Sequence, residues 1–317
     1  MRLACFMHYQ SLFNIAHILP NVNTFYTFYM KINYILPEEN NFTEILTSIP
    51  RKPQALYYSG TLPQKRQKSV AIVGTRKPTT YGREVAATLA RDLARRGVVI
   101  ISGLALGIDA IAHKAALDAG GTTLAVLGNG LHKIYPHTNR ALGMRILDEG
   151  GAIITEYEEG IEALPHHFLS RNRIVSGLAD AVVIIEAAKR SGTLNTAMHA
   201  LEQGREVFAV PGNITSPLSA GCNALLLQGA APVTCADDVM NIIAPENAAK
   251  NPAQKALPLA SSPLEARIIE LLQQGVRDGE ELQKQSGASA SDFSSALTML
   301  EINGVVAALG MNKWRLA

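Results

Sequence analysis

Five stretches of this chain place glycine and small polar residues directly after a short apolar run, a composition from which backbone amides build an anion site. They are Gly74-Thr75-Arg76-Lys77-Pro78, Ser102-Gly103-Leu104-Ala105-Leu106-Gly107, Gly128-Asn129-Gly130-Leu131-His132-Lys133, Glu186-Ala187-Ala188-Lys189-Arg190-Ser191-Gly192-Thr193 and Pro211-Gly212-Asn213. A tight strand-to-helix turn explains any one of them, whereas five together point to phosphate. The first has Arg76 at its centre, a forked and permanently charged donor that suits a phosphodiester backbone at least as well as a small cofactor. Neither the dinucleotide fingerprint G-x-G-x-x-G nor a P-loop is present, so no nucleotide cofactor is implied.

A second cationic group is Arg171-Asn172-Arg173. Two arginines two residues apart diverge on a helix, so one is expected to face ligand and the other to serve structure, with Glu186 as a candidate acidic partner. His166-His167 reads as a polar loop, because no third ligand stands at a metal-site spacing. Ser102, Asp109 and His113 contain the residue types of a hydrolytic triad, but Asp109 and His113 lie four apart on one expected helix, where capping or packing explains them.

The elements that would position these loops follow from the hydrophobic pattern. From Val70 onward short β-branched runs alternate with helix-patterned segments, the sign of a parallel sheet with crossover helices. The runs Val70–Val73, Val98–Ile101, Thr123–Leu127, Ala152–Thr155, Ala181–Glu186 and Glu206–Val210 are nearly continuous in apolar residues, as expected of strands covered on both faces. Helices are expected over residues 81–96, 107–119, 138–149, 168–178, 191–203, 219–228 and 236–243. In such an α/β sheet ligands bind beyond the carboxyl ends of the strands, where the glycine loops fall. The domain plan is an N-terminal segment 1–50 of unassigned structure, with nine of the chain's eighteen aromatic residues, then a Rossmann-like domain over 51–243. A proline-bearing linker, 244–262, leads to a tail over 263–317 whose three helices and terminal hairpin have the order of a winged helix.

Composition bounds the function. The chain has 317 residues, 47% hydrophobic and 18% charged, with a net charge of +2, which is far from the basic balance of many nucleic-acid binders. A phosphate site must therefore be local: residues 70–243 hold fifteen Lys/Arg against sixteen Asp/Glu, whereas 51–68 hold five basic residues and no acidic one. Three scattered cysteines support neither a zinc ribbon nor a disulfide framework, and no apolar run suggests export or membrane insertion, which leads to the expectation of a cytoplasmic protein.

The runs Val70-Ala-Ile-Val-Gly-Thr-Arg76, Ser102-Gly-Leu-Ala-Leu-Gly-Ile-Asp109, Gly128-Asn-Gly-Leu131 with Tyr135-Pro136 and Asn139, Arg171-Asn-Arg-Ile-Val-Ser-Gly-Leu178, Ser191-Gly-Thr-Leu194 and Val207-Phe-Ala-Val-Pro-Gly212 resemble, in order, the signature blocks of the DNA-processing protein A (DprA/Smf) family. The resemblance covers about residues 49–243, and a winged-helix tail agrees with many members. It departs at Phe168-Leu169, where phenylalanine-proline is usual, and in the N-terminal segment. It implies a non-catalytic protein that binds single-stranded DNA, forms a homodimer, protects incoming DNA and loads the RecA recombinase during natural transformation. By motif position the DNA-binding candidates are Gly74, Arg76, Ser102, Gly103, Arg171, Asn172, Ser191, Gly192 and Thr193, with Lys133 from a more variable loop. The neighbouring cations Arg173 and Lys189 complete the set.

Two rivals come from other classes. A phosphoribohydrolase of the lysine-decarboxylase-like type carries a Gly-Gly-x-Gly-Thr-Leu-Glu-Glu loop, which Ser191-Gly192-Thr193-Leu194 imitates, but Asn195 and Thr196 stand where acid/base carboxylates are needed. A transcription factor built on the tail would read the major groove with its third helix, yet residues 291–303 contain no Lys or Arg.

Overall fold

In a computed structural model that describes residues 30–245, 262–310 and 312–316, the chain divides into two compact units at Ile243/Ala244. The first is built on β3 (Ser69–Val73), β4 (Val99–Ser102), β5 (Thr123–Val126), β6 (Ala152–Thr155) and β7 (Ala181–Ile184), in which every residue is buried. Such strands can be β-branched on both sides only because helices cover both faces. With β8 (Glu206–Ala209) they pair in parallel, and with β1 (Asn33–Ile35), β2 (Leu56–Gly60) and β9 (Ala231–Pro232) the order across the sheet is β1-β2-β6-β5-β4-β3-β7-β8-β9.

Successive crossovers carry the chain from β3 outward to β6 through α1 (Thr80–Ala94), α2 (Ile108–Asp118) and α3 (Arg140–Asp148). Helix α4 (Pro165–Leu178) brings it back to the other side of β3, and α5 (Thr193–Glu202) and α6 (Ala220–Leu227) continue to β8 and β9 (Ala231–Pro232), before α7 (Ala236–Ile243). Right-handed crossovers running in opposite directions put α1–α3 on one face and α4–α6 on the other. The sheet order reverses between β3 and β7. This is a Rossmann-like, mostly parallel α/β sheet, as the alternation of patterns predicts.

Three strands of the sheet escape the sequence reading: the two-residue β9, and two near the opposite edge. β1 (Asn33–Ile35) pairs antiparallel with β2 (Leu56–Gly60), which pairs antiparallel with β6. Between them two short 3-10 turns bring Phe42, Leu46 and Ile49 into the core beside Ile174 and Leu178 of α4. The boundary at residue 50 is thus too late: residues 33–49 belong to the sheet unit, and composition pooled them with 1–29, which lie outside the described residues. Of the basic stretch 51–68, Arg66 ion-pairs with Asp180 at 2.7 Å and lies over the Phe42 ring, a structural use of its charge.

The second unit has α8 (Pro263–Gln273), α9 (Gly279–Ser286), α10 (Ala290–Ile302) and the hairpin β10 (Val306–Gly310) and β11 (Lys313–Leu316). Each helix starts at a side chain that accepts a backbone N–H: Ser262 from Glu265, Asp278 from Glu280 and Glu281, and Ser289 from Asp292. Its own core holds Ile268, Leu272, Leu282, Phe293, Leu300 and Val306, so this is a winged helix with a separate hydrophobic centre. The expected linker falls mostly on residues 246–261, outside the described residues. Among the described residues no helix is long and apolar enough to cross a membrane.

Candidate nucleic-acid interface

The sheet's reversal opens a crevice between the ends of β3 and β7, the place where α/β sheets bind ligands. A cleft of about 270 Å³ lies there. Gly74, Thr75 and Arg76 enter it from the loop after β3, Phe168, Arg171 and Asn172 from α4, and Ser191, Gly192 and Thr193 from the start of α5. A smaller cavity of about 70 Å³ adjoins it, sharing Arg76, Ala105, Phe168 and Arg171 and adding Gly103, Leu106 and Tyr135.

The loops after β3 and β4 are nested. Gly107 has φ of 83°, and a Cβ there would lie 2.4 Å from Thr75 O and 2.8 Å from Arg76 Cα, so only glycine lets the two backbones approach. Ile108 N donates to Thr75 O at 3.2 Å, which ties the start of α2 to the turn that carries Arg76. Glu186, buried at the end of β7, accepts from Thr79 N at 2.9 Å and Thr79 Oγ1 at 2.5 Å and so fixes the start of α1.

Arg76 is exposed, and among the described residues no carboxylate pairs with it. Its guanidinium lies 5.7 Å from the centre of the Phe168 ring, against which Tyr135 stacks at 5.5 Å. A cation–π contact of this exposed kind is worth about 0.5–1 kcal/mol and leaves the fork free for an anion. Arg171 is different: it is only 5% exposed, and its Nη1 donates to Gly103 O at 2.7 Å and to Val126 O. Burial, with the charge of Arg76 nearby, pulls its pKa down to about 10 against the attraction of Asp109, so it is still charged at neutral pH. Asp109 Oδ2 accepts from Gly103 N at 3.1 Å and Ala105 N at 3.4 Å, while burial pushes its carboxyl upward.

The remaining candidates separate. Asn172 joins α4 to α5 through Gly192 O at 3.4 Å and Asn195 Oδ1 at 3.3 Å, and Ser191 Oγ accepts from Thr193 N. Ser102 is fully buried, donates to Ile72 O at 2.7 Å and does not line the cleft. Lys133 ion-pairs with Glu162, and Lys189 is exposed but does not line the cleft. Arg173, 8% exposed, forks onto Glu156 at 2.6 and 2.8 Å and does not reach Glu186, whose oxygens Thr79 has taken. The expectation of one structural arginine is met with a different acid, because α4 carries Arg173 toward the loop after β6.

No triad forms. Ser102 bonds to a carbonyl, and the Nδ1 of His113 lies 2.7 Å from Thr123 Oγ1, whose hydroxyl donates to Ile100 O. Nδ1 therefore carries the proton, and burial, then the charge of Arg171, lowers the pKa to about 3. His167 stacks on Tyr157 at 4.3 Å, and among the described residues no group of three or more His, Cys, Asp or Glu is placed to hold a metal. Sequence reasoning missed Phe168 and Tyr135 as walls of the cleft and Asn139, whose Nδ2 donates to Leu104 O at 2.8 Å and Ala105 O at 3.2 Å. All three stand inside the quoted blocks or beside them, but nothing in their spacing shows what they face.

The chain matches the family model of DNA recombination-mediator protein A over residues 33–244 and that of the DprA winged helix domain over 250–310. Protein Smf of Escherichia coli is 37% identical over 287 residues, 87% of this chain and 76% of that protein. The crystal structure of DNA processing protein A from Streptococcus pneumoniae aligns with a TM-score of 0.63 and 39% identity, covering 67% of this chain and 74% of that one. DNA processing protein A of Helicobacter pylori, described for its single-stranded DNA binding mode, aligns with a TM-score of 0.60 and 30% identity, over 69% and 98%.

Proposed function

The chain belongs to the DNA recombination-mediator protein A family, and on that premise we propose that the cleft between β3 and β7 binds single-stranded DNA by its phosphate backbone. The observation that carries this reading is Arg76, exposed, free of any carboxylate among the described residues and braced by Phe168 at the mouth of the crevice. Gly74, Ser191, Gly192 and Thr193 line the same cleft with small residues and loop amides, and Asn172 orders the α5 side. Phosphate contacts of this kind give affinity that depends on salt and little on base sequence. The relative from Helicobacter pylori, described for its single-stranded DNA binding, supports the assignment.

In this reading the protein is a DNA-binding mediator, not an enzyme. It works in the cytoplasm as a homodimer, protects DNA strands taken up in natural transformation and delivers them to the RecA recombinase. The test is a titration of the full chain with labelled single-stranded and duplex oligonucleotides at several salt concentrations, followed by RecA-mediated strand exchange on pre-coated strands. Preference for single strands, with faster RecA loading, supports it; equal binding of duplex, or no effect on RecA, overturns the corresponding part.

A further inference from the structure

The three peptide units at Gly103, Leu104 and Ala105 are held from three directions. Asp109 Oδ2 takes the N–H groups of Gly103 and Ala105, Asn139 Nδ2 donates to the carbonyls of Leu104 and Ala105, and Arg171 Nη1 donates to the carbonyl of Gly103. In the middle Leu104 has φ of 55°, the left-handed region that a residue with a Cβ seldom adopts. Its side chain is fully buried with Leu117, Leu131, Ile134 and Ile146. Such a backbone persists only where its surroundings over-determine it, and it tends to occur at ligand clamps.

The triplet forms one side of the cavities: Ala105, like Arg76, Phe168 and Arg171, borders both, and Gly103 borders the smaller one. Its position passes directly to Arg76, because Gly107 packs on Thr75 and Arg76 with no room for a Cβ. Arg171 lies so close to Gly103 that a Cβ there would sit 2.2 Å from Nη1, and that nitrogen already serves two carbonyls. A buried guanidinium in this arrangement orders backbone, whereas the exposed fork of Arg76 is open to an incoming oxygen.

We propose that Asn139 and Arg171 are positioning residues that hold the Gly103–Ala105 wall in its left-handed form, so that Arg76 meets the strand in a preset place and makes the phosphate contact that Arg171 does not. The inference rests on the single-stranded DNA reading of the cleft. Preorganisation raises affinity by lowering the cost of ordering on binding and adds no counterion-displacing contact. Loss of the wall therefore weakens binding without changing its salt dependence. If release of Leu104 leaves about a tenth of the molecules competent, apparent affinity falls about tenfold.

The experiment uses the full chain, a labelled oligothymidylate and a salt series, with amide hydrogen exchange on the free proteins. Asn139→Ala, at a half-buried position, is expected to bind about tenfold more weakly with the wild-type salt slope. It should also exchange faster at the Gly103 and Ala105 amides while Ile100 and Ile101 stay protected. Arg171→Gln should show the same pattern, and Arg76→Ala should lose about 0.7 from the slope for the one phosphate contact removed. Wild-type affinity in Asn139→Ala, unchanged exchange at the wall, or a slope loss in Arg171→Gln equal to that of Arg76→Ala overturns the proposal. If the wild-type chain does not bind the oligonucleotide, the reading of the cleft has failed instead, and exchange in Asn139→Ala alone decides whether this residue holds the wall.

Discussion

Arg173 and Glu156 face each other with both terminal guanidinium nitrogens on the two carboxylate oxygens, Nη2 to Oε2 at 2.6 Å and Nη1 to Oε1 at 2.8 Å. The pair joins α4 to the end of β6, and Arg173 Nε donates further to Arg51 O at 2.9 Å. Removing one member of a pair this enclosed leaves the other charge without compensation. Glu156→Gln is expected to destabilise the sheet unit by about 3 kcal/mol, the low end for buried pairs because Glu156 keeps some contact with solvent. Urea unfolding should show a lower midpoint at unchanged slope, and oligonucleotide binding by the folded variant should be unaffected. A stability within error of wild type would show that the pair is a surface contact in effect.

Arg76 should behave in the opposite way. Arg76→Ala removes an exposed side chain whose loss costs little stability, but single-strand affinity is expected to fall about tenfold, or 1.4 kcal/mol, across all sequences. The salt slope should become shallower by about 0.7. A folded Arg76→Ala protein with wild-type affinity and slope would move the phosphate site elsewhere.

The contrast between these arginines marks where sequence stops being legible. Strand runs such as Val70–Val73 and Ala152–Thr155 lie within a residue of the observed β3 and β6, because burial on both faces leaves an unbroken apolar pattern. The loops after β3 and β7 converge on the cleft as expected, since the glycine signal and the switch-point rule are both local. Which of Arg76, Arg171 and Arg173 is open to ligand is not local. It depends on Gly103 O and Val126 O, and on Glu156, which lie on other elements. β1 and β2 are hidden for a related reason: these short antiparallel strands, β1 at the sheet edge and β2 next to it, have partly exposed residues and no continuous buried run.

His113 sets a pH dependence. Its pKa is about 3 in the folded protein against 6.5 for the free side chain, so between these values the unfolded chain binds a proton that the folded chain refuses. Its contribution to stability is therefore complete above 6.5 and is lost as pH falls through that window, by up to about 1.4 kcal/mol per unit. Replacing His113 with Leu should flatten the fall of unfolding free energy between about pH 4 and 6 by close to one proton. An unchanged slope would mean that His113 takes up its proton in the folded state.

No turnover of nucleotides is expected. Among the described residues Asp109 is the carboxylate that lines the cleft, and its Oδ2 is held by two backbone amides beside Arg171, an arrangement for ordering a loop. General acid/base catalysis needs a carboxyl group free to reach the reacting atom. Incubation with nucleoside monophosphates should release no base. Steady release that disappears in a Thr193→Ala variant would restore the hydrolase reading.

The tail should be dispensable for holding the strand. Its helix α10 turns Ser291, Ser294, Ser295 and Thr298 to solvent together with Met299 and Ile302, 48% and 72% exposed, and carries no Lys or Arg. Residues 261–317 hold five basic side chains against seven acidic ones, which offers no phosphate footprint. The apolar and small residues on α10 suit packing on a protein partner. A chain ending at residue 245 is therefore expected to bind single strands within about twofold of the full protein and with the same salt slope, because the charged contacts proposed above all lie in the sheet unit. The isolated tail has its own core but only about fifty-five residues, so its stability should be no more than about 3–5 kcal/mol. A truncation that loses tenfold in affinity, about 1.4 kcal/mol, with a shallower slope would place DNA on the wing. Lys313 and Arg315, both exposed on β11, would then be the first residues to replace.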